Sequence, residues 1–253
     1  ATTTIAIGNG NEIKMLKEIH FPHSIGLLYS AFTYFTGFKV NSGEYKVMGL
    51  APYGQPKYKD IIMKELVDLK DDGSFRLNMK YFNYATGLTM INNKFEDLFG
   101  QKARNPHKDL LTQFHMDIAS SIQSVTEEIV LKLTMSLSKE YKSRNLCLAG
   151  GVALNCVANG KILKNNIFEN IWIQPAAGDA GGSLGAALAF WYKELGNKRN
   201  PSSSDDEMRG SYLGPSFYDN QVENTLKSLN AKYTKQNEEN LISLIANELK
   251  NGK

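Results

Sequence analysis

Three blocks hold residue types whose spacing could do chemistry. In Leu146-Cys147-Leu148-Ala149-Gly150-Gly151-Val152-Ala153-Leu154-Asn155 an apolar run meets two glycines and then a helical pattern. Glycine lets backbone N–H groups approach an anion closely, and a helix N-terminus adds partial positive charge, so the arrangement suits phosphate. It carries neither the Lys-Ser/Thr of a P-loop nor the GxGxxG of a dinucleotide fold. Tight strand-to-helix turns also use glycine for geometry, and spacing alone leaves both readings open. In Gln174-Pro175-Ala176-Ala177-Gly178-Asp179-Ala180-Gly181-Gly182-Ser183-Leu184-Gly185, Asp179 stands at a second strand-to-helix junction. Open α/β sheets bind ligands at the carboxyl ends of their strands, and a carboxylate beside a phosphate there is a natural ligand for a divalent metal. The alternative, preferred on these residues alone, is that Asp179 caps the following helix while Gly181, Gly182 and Gly185 serve close helix packing. The third block, Ser42-Gly43-Glu44-Tyr45-Lys46-Val47-Met48-Gly49-Leu50-Ala51-Pro52-Tyr53-Gly54, reads as a loop. Solvation is the usual fate of charges such as Glu44 and Lys46.

Other candidates have plainer readings. His20 and His23 are spaced i, i+3, but Pro22 between them argues against a regular helix, so neither is expected to ligate a metal. His107 and His115 read as helix-face residues, and Trp172 and Trp191 as core. Cys147 and Cys156 make no disulfide framework and no CxxC pair, which leaves two reduced thiols in or near the core.

The elements that must position these blocks follow from periodicity and turn residues. Residues 3–7 and 12–19 form a hairpin across Gly8-Asn9-Gly10-Asn11. A buried helix spans 24–36 and stops at Gly37, and an amphipathic helix spans 58–69. A β-rich patch covers 74–84 after Asp71-Asp72-Gly73. The longest helical pattern runs over 107–142, with Ile118, Ile122, Val125, Ile129, Leu133 and Leu137 at spacings of three and four. Residues 145–149, 152–165, 168–174 and 180–195 read strand, helix, strand, helix, a parallel α/β unit. The polar stretch 196–211 is a linker, more exposed than its flanks, and 218–229 and 238–250 are helices around a short strand at 231–234.

Composition bounds the rest. Of 253 residues 42% are hydrophobic, ample for a core. With 29 basic and 26 acidic residues the net charge is +3, too balanced to imply a nucleic-acid partner. No secretory signal opens the chain and no apolar run approaches the ~20 residues of a membrane span, so no membrane partner is expected and a reducing cytoplasm fits best. The chain starts without Met, directly in a strand-like run, and ends after a helical pattern, as a piece of a longer protein would.

Taken together, residues 21–54, 147–162 and 174–188 resemble, in order and separation, the O-carbamoyltransferases of the NodU/CmcH/TobZ type. The resemblance covers 1–195 well and 211–253 more loosely. It implies that 1–195 are part of an actin/hexokinase/Hsp70-like domain binding ATP, a divalent metal (iron in family members) and the acceptor. It also implies that 212–253 begin a YrdC-like domain that makes carbamoyl-adenylate from carbamoyl phosphate and ATP. The carbamoyl group then passes to a hydroxyl of a sugar, polysaccharide precursor or secondary metabolite. By the same resemblance Gly150, Gly151, Val152 and Asn155 match the nucleotide-contacting turn. Gly43 and Glu44 lie in the nucleoside-contacting loop, with Ser30 facing the ribose, and Asp179 completes the metal site. The family's metal-binding histidine pair and the arginine- and glycine-rich signature of the YrdC-like domain have no counterpart in this stretch. By itself it is expected to lack turnover and to bind nucleotide and metal weakly. Two readings compete: a sugar kinase-like phosphotransferase, and a non-catalytic nucleotide-binding module of actin-like fold.

Overall fold

A computed structural model describes residues 1–200 and 206–252. The chain divides into two units, Ala1–Pro201 and Ser202–Lys253.

The first unit opens with the expected hairpin. Strands β1 (Thr3–Asn9) and β2 (Glu12–Ile19) pair antiparallel across Gly10, with a bulge between Ile5 and Ala6. Helix α1 (Ile25–Phe35) begins where Ser24 Oγ accepts the Leu27 N–H at 3.1 Å, and Gly37 at φ +77° follows its end. The stretch read as a loop after it contains α2 (Glu44–Leu50) and a 3₁₀ turn over Ala51–Tyr53. Turn residues at 41–43 mark the approach to this helix, and Gly49 lies inside it. Gly costs about 1 kcal/mol in a helix interior, which the complete burial of Val47 offsets.

Helix α3 (Lys59–Glu65) is shorter than expected, because Val67–Leu69 forms strand β3 and pairs antiparallel with β4 (Phe75–Leu77). The turn between them sets this register: Gly73 takes φ +83°, and Asp72 Oδ1 accepts the Ser74 N–H at 2.9 Å. The rest of the β-rich patch yields only a 3₁₀ turn at Met79–Tyr81 and a single bridge from Phe82 to Ile91. Helix α4 (Asn93–Phe99) then supplies Phe95 and Phe99 to the core. Phe32, Phe35, Phe95 and Phe99 pack ring against ring, with centroids 5.1 Å apart for Phe32–Phe95 and Phe95–Phe99. Burying each such ring is worth about 1.5–3 kcal/mol.

Helix α5 (Gln113–Tyr141) is the spine. Of its apolar stripe, Ile118, Ile122, Val125 and Ile129 are buried in that core, while Leu133 and Leu137 are half-buried. Strand β5 (Asn145–Leu148), helix α6 (Cys156–Lys164), strand β6 (Asn170–Ile173) and helix α7 (Ala180–Ala189) follow, with a π-helical turn at Phe190–Glu194. The two strands are parallel, Leu148 beside Ile173, as the strand–helix–strand pattern requires. The described residues thus form a mixed α/β structure with three two-stranded sheets.

This last region departs from the sequence reading in burial. Strand β5 is half-exposed despite its apolar run, and no residue of α7 is buried. Trp172 and Trp191 are 44% and 52% exposed, not core, and Cys147 and Cys156 are exposed too. Periodicity reports that a face is apolar, not that something covers it.

In the second unit α8 (Asp219–Ser228) and α9 (Glu238–Lys250) form as expected, but 231–234 makes no strand, since no described segment pairs with it. Part of the expected connector, 201–205, lies outside the described residues. Exposure does not set the rest apart, because α7 and α8 beside it are largely exposed as well.

Candidate functional site

The Gly150 turn is built by backbone geometry. Gly150 takes φ +96° and ψ 162°, a combination essentially open only to glycine. Its N–H donates to the Ala177 carbonyl at 2.7 Å, which ties the loop after β5 to the loop after β6. A 3₁₀ turn follows over Gly151–Leu154, and its first internal bond runs from the Ala153 N–H to the Gly150 carbonyl at 3.0 Å. The N–H groups of Gly151 and Val152 therefore lead the turn. A Cβ on Gly151 would meet nothing within 4 Å, so that position faces open space.

Asn155 ends the turn and is buried. Its Oδ1 accepts the Ala158 N–H at 3.0 Å, capping α6, and Asn159 Nδ2 reaches back to the Ala153 carbonyl at 2.7 Å. Its carboxamide also exchanges two hydrogen bonds with Gln123 of α5, at 3.0 and 3.1 Å. Gln123 further accepts from the Tyr29 hydroxyl at 3.0 Å and donates to Glu127 at 2.9 Å, while Glu127 pairs with Lys161 of α6. Burial pushes the Tyr29 phenol far above its ordinary value, and the charges of Glu127 and Glu44 push it the same way, so it remains a donor.

Residues of the 21–54 stretch lie against this turn and the start of α6. Val152 comes within van der Waals reach of a Cβ placed on Gly26 of α1, and Met48 Sδ is 3.9 Å from Cys156 Sγ. Ser30 and Glu44, fourteen residues apart, meet: the Ser30 hydroxyl donates to Glu44 Oε1 at 2.8 Å. The same carboxylate accepts the N–H groups of Asn41 at 2.9 Å and Gly43 at 3.1 Å, so Glu44 is held in place rather than loosely solvated. Gly43 is required by packing, since a Cβ there would lie 2.7 Å from the Lys39 carbonyl oxygen.

Asp179 differs from the preferred cap. Its backbone is already helical and its side chain makes no cap hydrogen bond; it is exposed at the head of α7. Gly181 does serve close packing, with a Cβ there 2.1 Å from the Ala176 carbonyl oxygen, whereas Gly182 and Gly185 face open space. No group of three or more His, Cys, Asp or Glu that could hold a metal ion occurs among the described residues. The donors present therefore do not fit a metal centre by themselves.

Two of the four histidines have structural places. His23 Nδ1 accepts the Leu77 N–H at 3.1 Å, and His115 Nδ1 accepts the Thr112 N–H at 3.1 Å within a capping box. Burial, with Arg104 nearby, lowers the His115 pKa. His107 lies in an exposed turn before α5, not on a helix. The reading of the sequence missed Gln123 and Glu127, polar residues at i, i+4 inside the most apolar part of α5. It also missed Asp117, whose buried carboxylate accepts from Lys57 Nζ at 2.6 Å, the Gln55 N–H at 2.9 Å and Gln113 at 2.9 Å. Burial alone would raise that carboxyl, but the hydrogen bonds prevail and hold it below its ordinary value.

Among the described residues no helix is long and apolar enough to cross a membrane. The profile of the carbamoyltransferase N-terminus matches residues 1–188. An uncharacterised protein of Synechocystis is 59% identical over the whole of this chain and 41% of its own length. The nodulation protein NolNO of Sinorhizobium fredii is 35% identical over 85% of this chain and 29% of its own. The nodulation protein NolO of Bradyrhizobium diazoefficiens is 35% identical over 83% of this chain and 36% of its own. The chain thus spans between 29% and 41% of the length of these relatives. Over its first 188 residues, the part that holds the glycine turn, the Ser30–Glu44 pair and Asp179, it belongs to the carbamoyltransferase family.

Proposed function

We propose that this protein transfers a carbamoyl group to a hydroxyl of a small-molecule acceptor: a sugar, a polysaccharide precursor or a secondary metabolite. Water cleaves carbamoyl phosphate to carbamate and phosphate, and the carbamate oxygen then bonds to the α-phosphorus of ATP with loss of pyrophosphate, giving carbamoyl-adenylate. The acceptor oxygen then bonds to the carbamoyl carbon, the bond to the adenylate oxygen breaks, AMP leaves, and the hydroxyl proton is released. The second unit, with α8 and α9, is read as the start of the YrdC-like domain that forms the adenylate.

One observation carries this reading: blocks far apart in sequence converge at the carboxyl ends of β5 and β6. Gly150 is bonded to Ala177, and the 150–156 turn lies against α1 and α2. In this arrangement the N–H groups of Gly151 and Val152 meet phosphate oxygens, and the absence of a side chain at Gly151 leaves room for them. Glu44 accepts from the nucleoside's hydroxyls. Ser30 is buried and already donates to Glu44, so its role is to orient that carboxylate rather than to face the ribose itself. Asp179, exposed on the same edge, is a ligand to a metal only together with donors from outside the described residues, and no step is assigned to it.

The test is carbamoyl-phosphate-dependent release of AMP from ATP by the intact protein, with acceptor carbamoylation followed separately. Transfer of phosphate to the acceptor with release of ADP would replace this reading with a kinase. Nucleotide binding without any turnover would replace it with a binding module.

A further inference from the structure

Beneath the Gly150 turn lies a buried polar network centred on Gln123. Gln123 uses its full hydrogen-bonding capacity there. Its Nε2 donates to Glu127 Oε1 at 2.9 Å and to Asn155 Oδ1 at 3.1 Å, and its Oε1 accepts from the Tyr29 hydroxyl and from Asn155 Nδ2, both at 3.0 Å. Tyr29, Gln123, Glu127 and Asn155 are all at most 9% exposed. Only a carboxamide of this length supplies two donors and an acceptor at once. A glutamate could not donate to Asn155, and an apolar side chain would take hydrogen bonds from three buried polar partners, leaving the Tyr29 hydroxyl and Asn155 Nδ2 without theirs.

The network has a direction. Asn155 caps α6 and terminates the 3₁₀ turn, so fixing its side chain fixes the chain from Gly150 to Asn155. Tyr29, another partner of Gln123, precedes Ser30 in α1, and Ser30 holds Glu44. We propose that Gln123 is a positioning residue: through Asn155 it holds the Gly150–Asn155 turn in register with the Ser30–Glu44 pair, to which Tyr29 of α1 links it. The inference rests on reading that turn as a nucleotide site, and it makes Gln123 act on binding without contacting the ligand.

The experiment uses the intact protein with Gln123→Met, Asn155→Ala and their combination, and with the milder Tyr29→Phe. ATP affinity is measured by calorimetry, amide hydrogen exchange at residues 150–153 by mass spectrometry, and stability by thermal melting. Gln123→Met is expected to weaken ATP binding about tenfold and to speed exchange in the turn more than elsewhere in α5 and α6. Because both residues act as one unit, the double variant should bind ATP no more weakly than Asn155→Ala alone. Independent effects, multiplying to about a hundredfold, would overturn the proposal. So would unchanged exchange at 150–153 in a folded Gln123→Met protein, or a fall in melting temperature with exchange rising uniformly. If the unaltered protein binds no ATP, the nucleotide reading of the site fails, and the exchange comparison still decides whether Gln123 positions the turn. If Gln123→Met does not fold, Tyr29→Phe, which removes one donor to the same amide, carries that comparison.

Discussion

Replacing Gly150 and Gly151 by alanine, one at a time, separates backbone geometry from ligand access. Gly150 sits at φ +96° and ψ 162°, with no atom that a Cβ would meet within 4 Å. Its requirement is conformational, and forcing an L-residue into that region costs about 1–3 kcal/mol. For a unit of about two hundred residues this lowers the melting temperature by about 2–12 °C. Gly151 has neither constraint: its φ is not positive and its Cβ position is open. Gly151→Ala should leave stability within about 1 kcal/mol of the original, on either side. If the Gly151 N–H faces a phosphate, however, the added methyl group stands where the anion must come, and nucleotide affinity should fall at least about tenfold. Melting curves and ATP calorimetry on the intact protein measure both quantities on the same samples. Gly151→Ala with full ATP affinity would refute the phosphate role of the turn, and Gly150→Ala with an unchanged melting temperature would refute the strain on which its geometry depends.

Glu44→Gln keeps the shape of the side chain but removes the charge that orders three donors; ATP affinity should fall about tenfold, read by calorimetry, while the core beneath it stays intact. Asp117 is held below its ordinary value, so the folded state binds fewer protons than the unfolded one between the two pKa values. Its contribution to stability is complete above the ordinary aspartate value near ~4 and is lost as the pH falls through the lower, folded value. Asp117→Asn should therefore lower the melting temperature at neutral pH and flatten its decline in acid, which melts over a pH series would reveal. Asp179→Ala should change stability by less than about 0.5 kcal/mol, because no cap is lost. A fall in acceptor carbamoylation at unchanged melting temperature would then assign Asp179 to function, whereas intact transfer would leave it as an exposed carboxylate without a role.

Local chemistry made much of the fold legible. Ser24 and Gly37 bracket α1, the isoleucines of α5 repeat on one buried face, and the apolar runs at 145 and 170 pair as parallel strands. Each follows from interactions within a few residues or from a period that one element imposes. The glycine turn was visible for the same reason, since a strand, two glycines and a helix leave few backbone paths. Where local signals conflicted, packing decided. The turn-rich stretch 41–54 contains α2 because burial of Val47 outweighs an interior glycine, and 58–69 splits into helix and strand because Asp72 and Gly73 close a hairpin.

What no local pattern could carry was partnership at a distance. Ser30 and Glu44 become one unit only when α2 folds against α1, and Gln123 becomes the clamp of Asn155, thirty-two residues away, only when α6 docks on α5. Burial of Trp172 and Trp191 was equally beyond reach, because an apolar face is written in the residues of one element and its cover in another. By itself the sequence determined the elements with a strong local period, the glycine turn and the family resemblance, all of which depend on residue types and their order. Tertiary structure alone decided which polar groups are buried together, because a hydrogen bond depends on where a donor and an acceptor lie in space and not on how far apart they stand in the chain.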